Sequence, residues 1–137
     1  MEKNKTVFDT NIWISYFLQA RFTDIVEFIE KNSVEFFRNI ESKQELREVL
    51  ARPKFKKYLT LPVSEYISFY DAVCMYVKTS KKFNLCSDAK DNFLFDLAIQ
   101  SKSNYLVSGD KHVLDTVIPK PPCIVNLSTF KKSVSKK

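Results

Sequence analysis

The sequence predicts an α/β protein in which helices cover both faces of a mainly parallel sheet. Short segments rich in β-branched and aromatic residues alternate with longer segments whose apolar residues recur at helical spacing. This alternation is typical of parallel sheets with helical crossovers. The 137 residues contain no internal repeat and no segment of linker composition, which favours one domain with more helix than strand.

Two strands and the helices that follow them are predicted in the amino-terminal half. "KTVF" is a short strand that ends at Asp9, and from Asn11 onward apolar side chains recur at helical spacing in two successive runs. "SVEFF", residues 33–37, predicts the second strand. Residues 41–50 are rich in helix formers, and the helix is expected to end before Pro53.

The carboxyl-terminal half predicts a long helix followed by further alternation of strand and helix. Apolar residues between Val63 and Val77 step by four, three, four and three, which indicates one amphipathic helix. "KFNLC", residues 82–86, is a candidate strand, and "SDAKDNFLFDLAIQS" is a predicted helix. "YLVS" and "CIVNL" predict the last two strands, with a short helix from about Lys111 between them.

The charge balance favours a polyanionic partner without requiring one. The net charge is +6, from 22 basic and 16 acidic residues, and ordinary solubility is the alternative explanation. Part of the excess lies in "KKSVSKK", residues 131–137. We interpret this segment as a solvated basic tail that follows a domain of residues 1–130.

The cysteine pattern and the apolar runs predict a cytoplasmic protein. Cys74, Cys86 and Cys123 are odd in number and widely spaced, which argues against a disulfide framework or a zinc site. No apolar run is long enough to span a membrane, and "IWISYFL" lacks the basic flank of a signal peptide.

Four acidic residues are predicted to meet at one edge of the sheet. Asp9 and Asp110 each follow a predicted strand, and functional groups of such sheets collect outside the carboxyl ends of the strands. Asp91 lies near the start of the helix that leads to "YLVS", and Glu45 lies early in the helix after "SVEFF". The local periodicity therefore allows four carboxylates to converge.

Each acid also has an ordinary structural explanation. Asp9 and Asp110 suit helix N-caps, Asp88 with Asp91 resembles a capping pair, and Glu45 suits a solvated helix surface. Asp91 fits its explanation least well, because its neighbours three, four and seven residues on are Leu94, Phe95 and Ala98. A charge on such an apolar face needs a cation, and Asp96 lies off that face.

Crowded carboxylates of this kind point to a hard divalent cation. They repel one another unless something positive lies between them, and Mg²⁺ or Mn²⁺ takes carboxylate oxygens. The candidate set contains no His or Cys ligand, which argues against zinc. The chemistry suited to such a site is metal-assisted hydrolysis of a phosphodiester.

Three segments of the chain resemble the PIN-domain family in order and spacing. They are "VFDTNIWIS", "QELREVLARPKF" and "SDAKDNFLFDLAIQSKSNYLVSGDKHVL", and the likeness extends from Val7 to Leu127. Within the family the likeness is greatest to the toxin components of toxin–antitoxin modules. The resemblance implies a three-layer α/β/α sandwich and a Mg²⁺- or Mn²⁺-dependent endoribonuclease, commonly dimeric and silenced by an antitoxin.

The resemblance also assigns roles to residues of this chain. The catalytic and metal-binding acids would be Asp9, Glu45, Asp91 and Asp110, and the small polar residues that orient them would be Asn11 and Ser108. The family often carries a serine where Asn39 stands. This departure leaves Glu41 and Glu48 as competitors of Glu45.

A basic segment and two aromatic residues have two interpretations each. In "RPKFKKY", Lys54, Lys56 and Lys57 flank two aromatic side chains. They are either an RNA-binding patch or, as we prefer, a solvated helical turn with both aromatics in the core. Trp13 and Phe17 belong either to the core or to a dimer surface.

Three other functions fit parts of the sequence. A PIN-like module that binds RNA or protein without cleaving would keep the fold and lack a competent site. A phosphatase with an aspartyl nucleophile would need a second aspartate where Asn11 stands. A structural partner protein would use its acids only as helix caps.

Overall fold

Five parallel strands form the central sheet in the computed structural model, which describes residues 2–82 and 91–135. The candidate strand in "KFNLC" lies outside these residues from position 83 onward. The strands are β1 (Asn4–Phe8), β2 (Val34–Arg38), β3 (Cys74–Tyr76), β4 (Tyr105–Val107) and β5 (Cys123–Val125). Their order across the sheet is β3-β2-β1-β4-β5, and every pair is parallel.

Helices account for more of the described residues than strands do, as the sequence predicts. They are α1 (Thr10–Leu18), α2 (Phe22–Asn32), α3 (Ile40–Leu50), α4 (Val63–Val73), α5 (Asn92–Gln100), α6 (Lys111–Leu114) and α7 (Leu127–Ser135). A 3₁₀ helix, Pro53–Tyr58, follows α3. None of the described helices is long and apolar enough to cross a membrane.

Successive side chains along the strands point to opposite faces of the sheet and are buried in two separate hydrophobic layers. On β1, Phe8 packs with residues of α1–α4 and α7, whereas Val7 packs with residues of α5 and α6. Phe36 and Phe37 on β2 divide in the same way, as the two-residue period of a strand requires. The predicted three-layer α/β/α sandwich with a parallel central sheet is therefore confirmed.

The strand order places a topological switch point between β1 and β4. The chain leaves β1 to form β2 and β3 on one side, and it forms β4 and β5 on the other. The segments that follow β1 and β4 therefore lead in opposite directions and leave a crevice between the carboxyl ends of these two strands. Ligands of open α/β sheets bind at such a point.

Helix α4 is shorter than its apolar periodicity predicts. It ends at Val73, and Cys74 pairs with Phe36 to begin the edge strand β3. The backbone N–H of Val77 donates to the carbonyl of Arg38 at 2.9 Å. The predicted helix to Val77 is wrong because pairing with β2 outweighs the local periodicity in a segment rich in strand formers.

The carboxyl-terminal residues form a helix that packs against the core, which the sequence does not predict. Helix α7 runs through residue 135, and its Phe130 and Val134 are buried against the core. The expected boundary at residue 130 therefore falls inside a helix, and residues 131–135 continue that helix with exposed lysines and a buried Val134. Leu127, Phe130 and Val134 follow helical spacing, but the lysines between them dominate the composition.

Candidate functional site

The ends of β1 and β4 bring Asp9 and Asp110 to the switch point. Asp9 follows β1 directly, and its backbone N–H donates to the carbonyl of Val107 at 2.9 Å. Ser108, the residue after β4, is fully buried. Its hydroxyl donates to Asp9 Oδ2 at 2.6 Å and accepts from the backbone N–H of Asp110 at 3.0 Å. Ser108 thus links the two acidic segments across the crevice.

Both aspartates also cap helices, as their sequence positions suggest. The backbone N–H of Asn11 donates to Asp9 Oδ1 at 3.4 Å, and that of His112 donates to Asp110 Oδ1 at 2.8 Å. The capping interpretation is therefore confirmed for these two residues. It does not account for Asp9 Oδ2, which Ser108 holds at the crevice.

Glu45 reaches the same region from α3. The hydroxyl of buried Thr10 donates to Glu45 Oε2, which fixes the carboxylate against the start of α1. Glu45 lines the cavity that Asp9 lines, whereas Glu41 and Glu48 are not among its lining residues. Of these three glutamates, Glu45 is the one that the structure places beside this cavity.

Asp91 immediately precedes α5 and is buried. Leu94, Phe95 and Ala98 are completely buried, so the apolar face predicted for this helix is confirmed. The predicted capping pair of Asp91 with Asp88 lies outside the described residues, because Asp88 does.

One cavity of about 120 Å³ collects all four predicted acids. The residues around it are Asp9, Thr10, Asn11, Glu45, Val49, Arg52, Asp91 and Asp110. Thr10 and Arg52 are not among the site residues that the sequence predicts. Thr10 stands next to Asp9 in "DTN", so a hydroxyl beside the first acid is the sequence feature that could have indicated it. Arg52 opens "RPKFKKY", and its composition suggests a basic surface segment instead.

Burial makes the charge of Asp9 unfavourable. Desolvation raises the pKa of the Asp9 carboxyl above its ordinary value of 3.8, and the nearby Asp110 carboxylate raises it further. Hydrogen bonds from Ser108 and from the backbone of Asn11 act in the opposite direction without cancelling the effect. A cation in the cavity would stabilise the ionised form.

The donor chemistry of this cavity fits a hard divalent cation. Its ionisable oxygen ligands are carboxylates, which Mg²⁺ and Mn²⁺ prefer. Among residues 2–82 and 91–135, no group of three or more His, Cys, Asp or Glu side chains is already arranged to hold a metal ion. Protein donors hold Asp9, Glu45 and Asp110 separately, so a bound ion would have to draw them together.

The basic segment after α3 is a surface feature with one partly buried aromatic. Lys54, Lys56 and Lys57 are exposed and do not line the carboxylate cavity. Phe55 packs against the core as expected. Tyr58 is 52% exposed, so its expected place in the core is wrong.

Comparison with known proteins identifies a family. A family model described as PIN domain matches residues 5–112, which is well over half of the chain. Neither the curated proteins nor the solved structures include a significant match.

Proposed function

The chain belongs to the PIN-domain family, whose members are generally nucleases, and on that premise we propose that it is a Mg²⁺- or Mn²⁺-dependent endoribonuclease. The observation that carries the proposal is the convergence of Asp9, Glu45, Asp91 and Asp110 on one cavity at the switch point. The positive net charge of the chain agrees with an RNA substrate.

The four carboxylates would hold the ion, which supplies electrophilic assistance to hydrolysis of the phosphodiester. Ser108 and Thr10 orient two of the carboxylates, because each donates a hydrogen bond to one of their oxygens. Burial of Thr10 and Ser108 keeps both donors in place. In this arrangement Asn11 lies at the exposed rim of the cavity and supports Asp9 through its backbone N–H.

Arg52 is suited to bind the phosphate that enters this acidic cavity. Among the described residues that line the cavity, Arg52 is the one with a basic side chain. It forms no ion pair with any other described residue. Its backbone is anchored on both sides, since its N–H donates to Val49 at 3.1 Å and its carbonyl accepts from Phe55 at 3.0 Å. A guanidinium binds phosphate oxygens in pairs. Lys54, Lys56 and Lys57 would extend the positive surface outward from it.

Metal-dependent cleavage is the experiment that tests the proposal. Purified protein is incubated with a single-stranded RNA whose two ends are blocked, in Mg²⁺, in Mn²⁺ or in EDTA. We expect internal cleavage with either metal, loss of cleavage in EDTA, and recovery when metal is added back. Cleavage that persists in EDTA would contradict metal dependence. RNA binding without turnover in every metal would instead support the non-catalytic binding module.

Arg52→Gln is expected to lower kcat/KM for RNA cleavage by about 10- to 100-fold, the range of a hydrogen bond to a charged group. The matched control is Lys54→Gln, which removes a nearby exposed charge outside the cavity and should cost less than about fivefold. Equal losses for both variants would show that Arg52 contributes only to the general positive surface.

We further propose that this nuclease is the cytoplasmic toxin of a toxin–antitoxin module, with an antitoxin partner and a homodimeric assembly. The support is the likeness of its motifs to PIN-family toxins. Growth arrest on expression of the wild-type protein, absent for an Asp9→Asn variant, is the measurement that tests this role. Normal growth with an active enzyme would refute it.

A further inference from the structure

A second cavity, of about 380 Å³, lies beside α3. Lys43 and Arg47 of α3 line it, four residues apart. They lie nearly opposite Glu45 and Val49, which line the carboxylate cavity, because two residues of an α-helix differ by about 200° in direction. Helix α3 therefore separates the two cavities, and its exposed side connects them.

The second cavity is positively charged. Arg38, Lys43 and Arg47 line it, and the one acid that pairs with them among the described residues is Asp71 on α4. Asp71 contacts Arg38 Nε at 3.0 Å and Lys43 Nζ at 2.8 Å. Arg47 is exposed and forms no ion pair with any described residue. Three cations and one carboxylate leave an excess of positive charge, so the cavity favours an anionic ligand.

Two exposed apolar side chains complete this cavity. Ile40 is 57% exposed and Tyr76 is 50% exposed. The Arg38 guanidinium lies 5.6 Å from the centre of the Tyr76 ring, a cation–π contact that helps to position the ring. Aromatic side chains beside cations bind single-stranded nucleic acid by stacking with bases and neutralising phosphates. The cavity volume lies within the range of ligand pockets, about 300–1,000 Å³.

We propose that this cavity binds one nucleotide of the RNA substrate at a distance from the scissile bond. The base contacts Tyr76 and Ile40, and the adjoining phosphate contacts Arg47 and Lys43. The inference rests on the proposed ribonuclease function and adds a second subsite to it. Because a helix with its side chains is about 10–12 Å across, the RNA must cross α3, and a substrate of very few nucleotides cannot occupy both cavities. Glu48, exposed on α3, would lie along that path.

RNA binding in EDTA tests the second subsite independently of cleavage. Fluorescence anisotropy is measured with single-stranded RNAs of about 16 and about 4 nucleotides. For the long RNA, Arg47→Gln should weaken binding about tenfold and reduce the salt slope by about one unit. Tyr76→Leu should weaken binding about tenfold with little change in the salt slope. The short RNA can still place one nucleotide in this cavity, so both variants should weaken its binding as well.

One further variant tests the path of the RNA across α3, and another serves as a control. Lys132→Gln, an exposed change on α7, is the control and should leave affinity within about twofold. Glu48→Gln should tighten binding of the long RNA about twofold to threefold, because it removes a like charge from the path. Thermal unfolding of each variant verifies that the fold is intact.

The outcomes separate the second subsite from the nuclease assignment. If Arg47→Gln and Tyr76→Leu both bind the long RNA as tightly as the wild type does, the subsite is overturned. This holds even if the protein cleaves RNA normally. An acidic peptide serves as a second probe. If Arg47→Gln and Tyr76→Leu bind RNA like the wild type but lose binding to this peptide, the subsite is overturned in favour of a protein partner. Weakened RNA binding in a protein that never cleaves RNA would support the subsite and refute the nuclease.

Discussion

Asp9→Asn is expected to lower RNA cleavage by at least about 100-fold, the loss typical for removal of one preorganised electrostatic group from an active site. Asp9 lies directly after β1, lines the cavity with the other three acids, and is held by Ser108 at 2.6 Å. Asparagine has nearly the same shape and keeps an oxygen that can cap α1, but it removes the charge that would hold the ion. The measurement is kcat/KM at saturating Mg²⁺ or Mn²⁺.

The same variant separates catalysis from stability through its pH dependence. Because the pKa of Asp9 is raised above 3.8 in the folded protein, the folded state binds more protons than the unfolded state just above that pH. The contribution of Asp9 to stability therefore falls as pH rises from about 3.8 through the raised pKa. In EDTA, Asp9→Asn should match the wild type near pH 3 and be more stable near pH 7.

Urea unfolding at several pH values, with EDTA present, measures this difference. A variant that is less stable than the wild type by the same amount at every pH would mean that asparagine disrupts the cap or the contact with Ser108. Its loss of activity could then reflect a local change of structure. A stable variant that fails to cleave RNA would assign the loss to the missing charge.

Trp13→Ala is expected to lower the free energy of unfolding by about 3–5 kcal/mol, the range for removal of a buried aromatic side chain. Trp13 is 2% exposed. Its ring lies 5.4 Å from that of Phe8, 5.1 Å from that of Phe36 and 5.2 Å from that of Tyr70. Alanine would leave a large cavity beneath α1, next to the strand that carries Asp9.

The control for Trp13 is Val117→Ala, since Val117 is 92% exposed. This change should alter the free energy of unfolding by no more than about 0.5 kcal/mol. Urea unfolding measures both variants, and sedimentation measures their oligomeric state. A Trp13→Ala protein of normal stability with altered association would contradict the core assignment and support the dimer surface.

The predictable part of the site depends on short-range relations along the chain. Asp9 and Asp110 each follow a strand, and parallel strands place their carboxyl ends at one edge, so the meeting of these two acids could be expected. The apolar neighbours of Asp91 set its helix face in the same way. Local spacing does not choose between Glu45 and its neighbours Glu41 and Glu48, which lie one turn away along α3. Glu45 is the one that accepts a hydrogen bond from Thr10.

The errors arise where a contact with a distant segment outweighs the local pattern. Cys74 continues the helical spacing of α4, yet it pairs with Phe36 and begins β3. Val134 lies among lysines, yet its side chain is buried on the face of α7 that packs against the core. Arg52 belongs by composition to a basic surface segment, but the end of α3 places it in the carboxylate cavity.

The sequence by itself determined the fold class, the family and the four candidate acids, because these follow from periodicity, composition and motif spacing. The tertiary structure decided how Asp9 and Glu45 are held. Ser108 contacts Asp9 across 99 positions of the chain, and Thr10 contacts Glu45 across 35. Local spacing cannot specify such partners, since they depend on which strands become neighbours and how the helices pack over them.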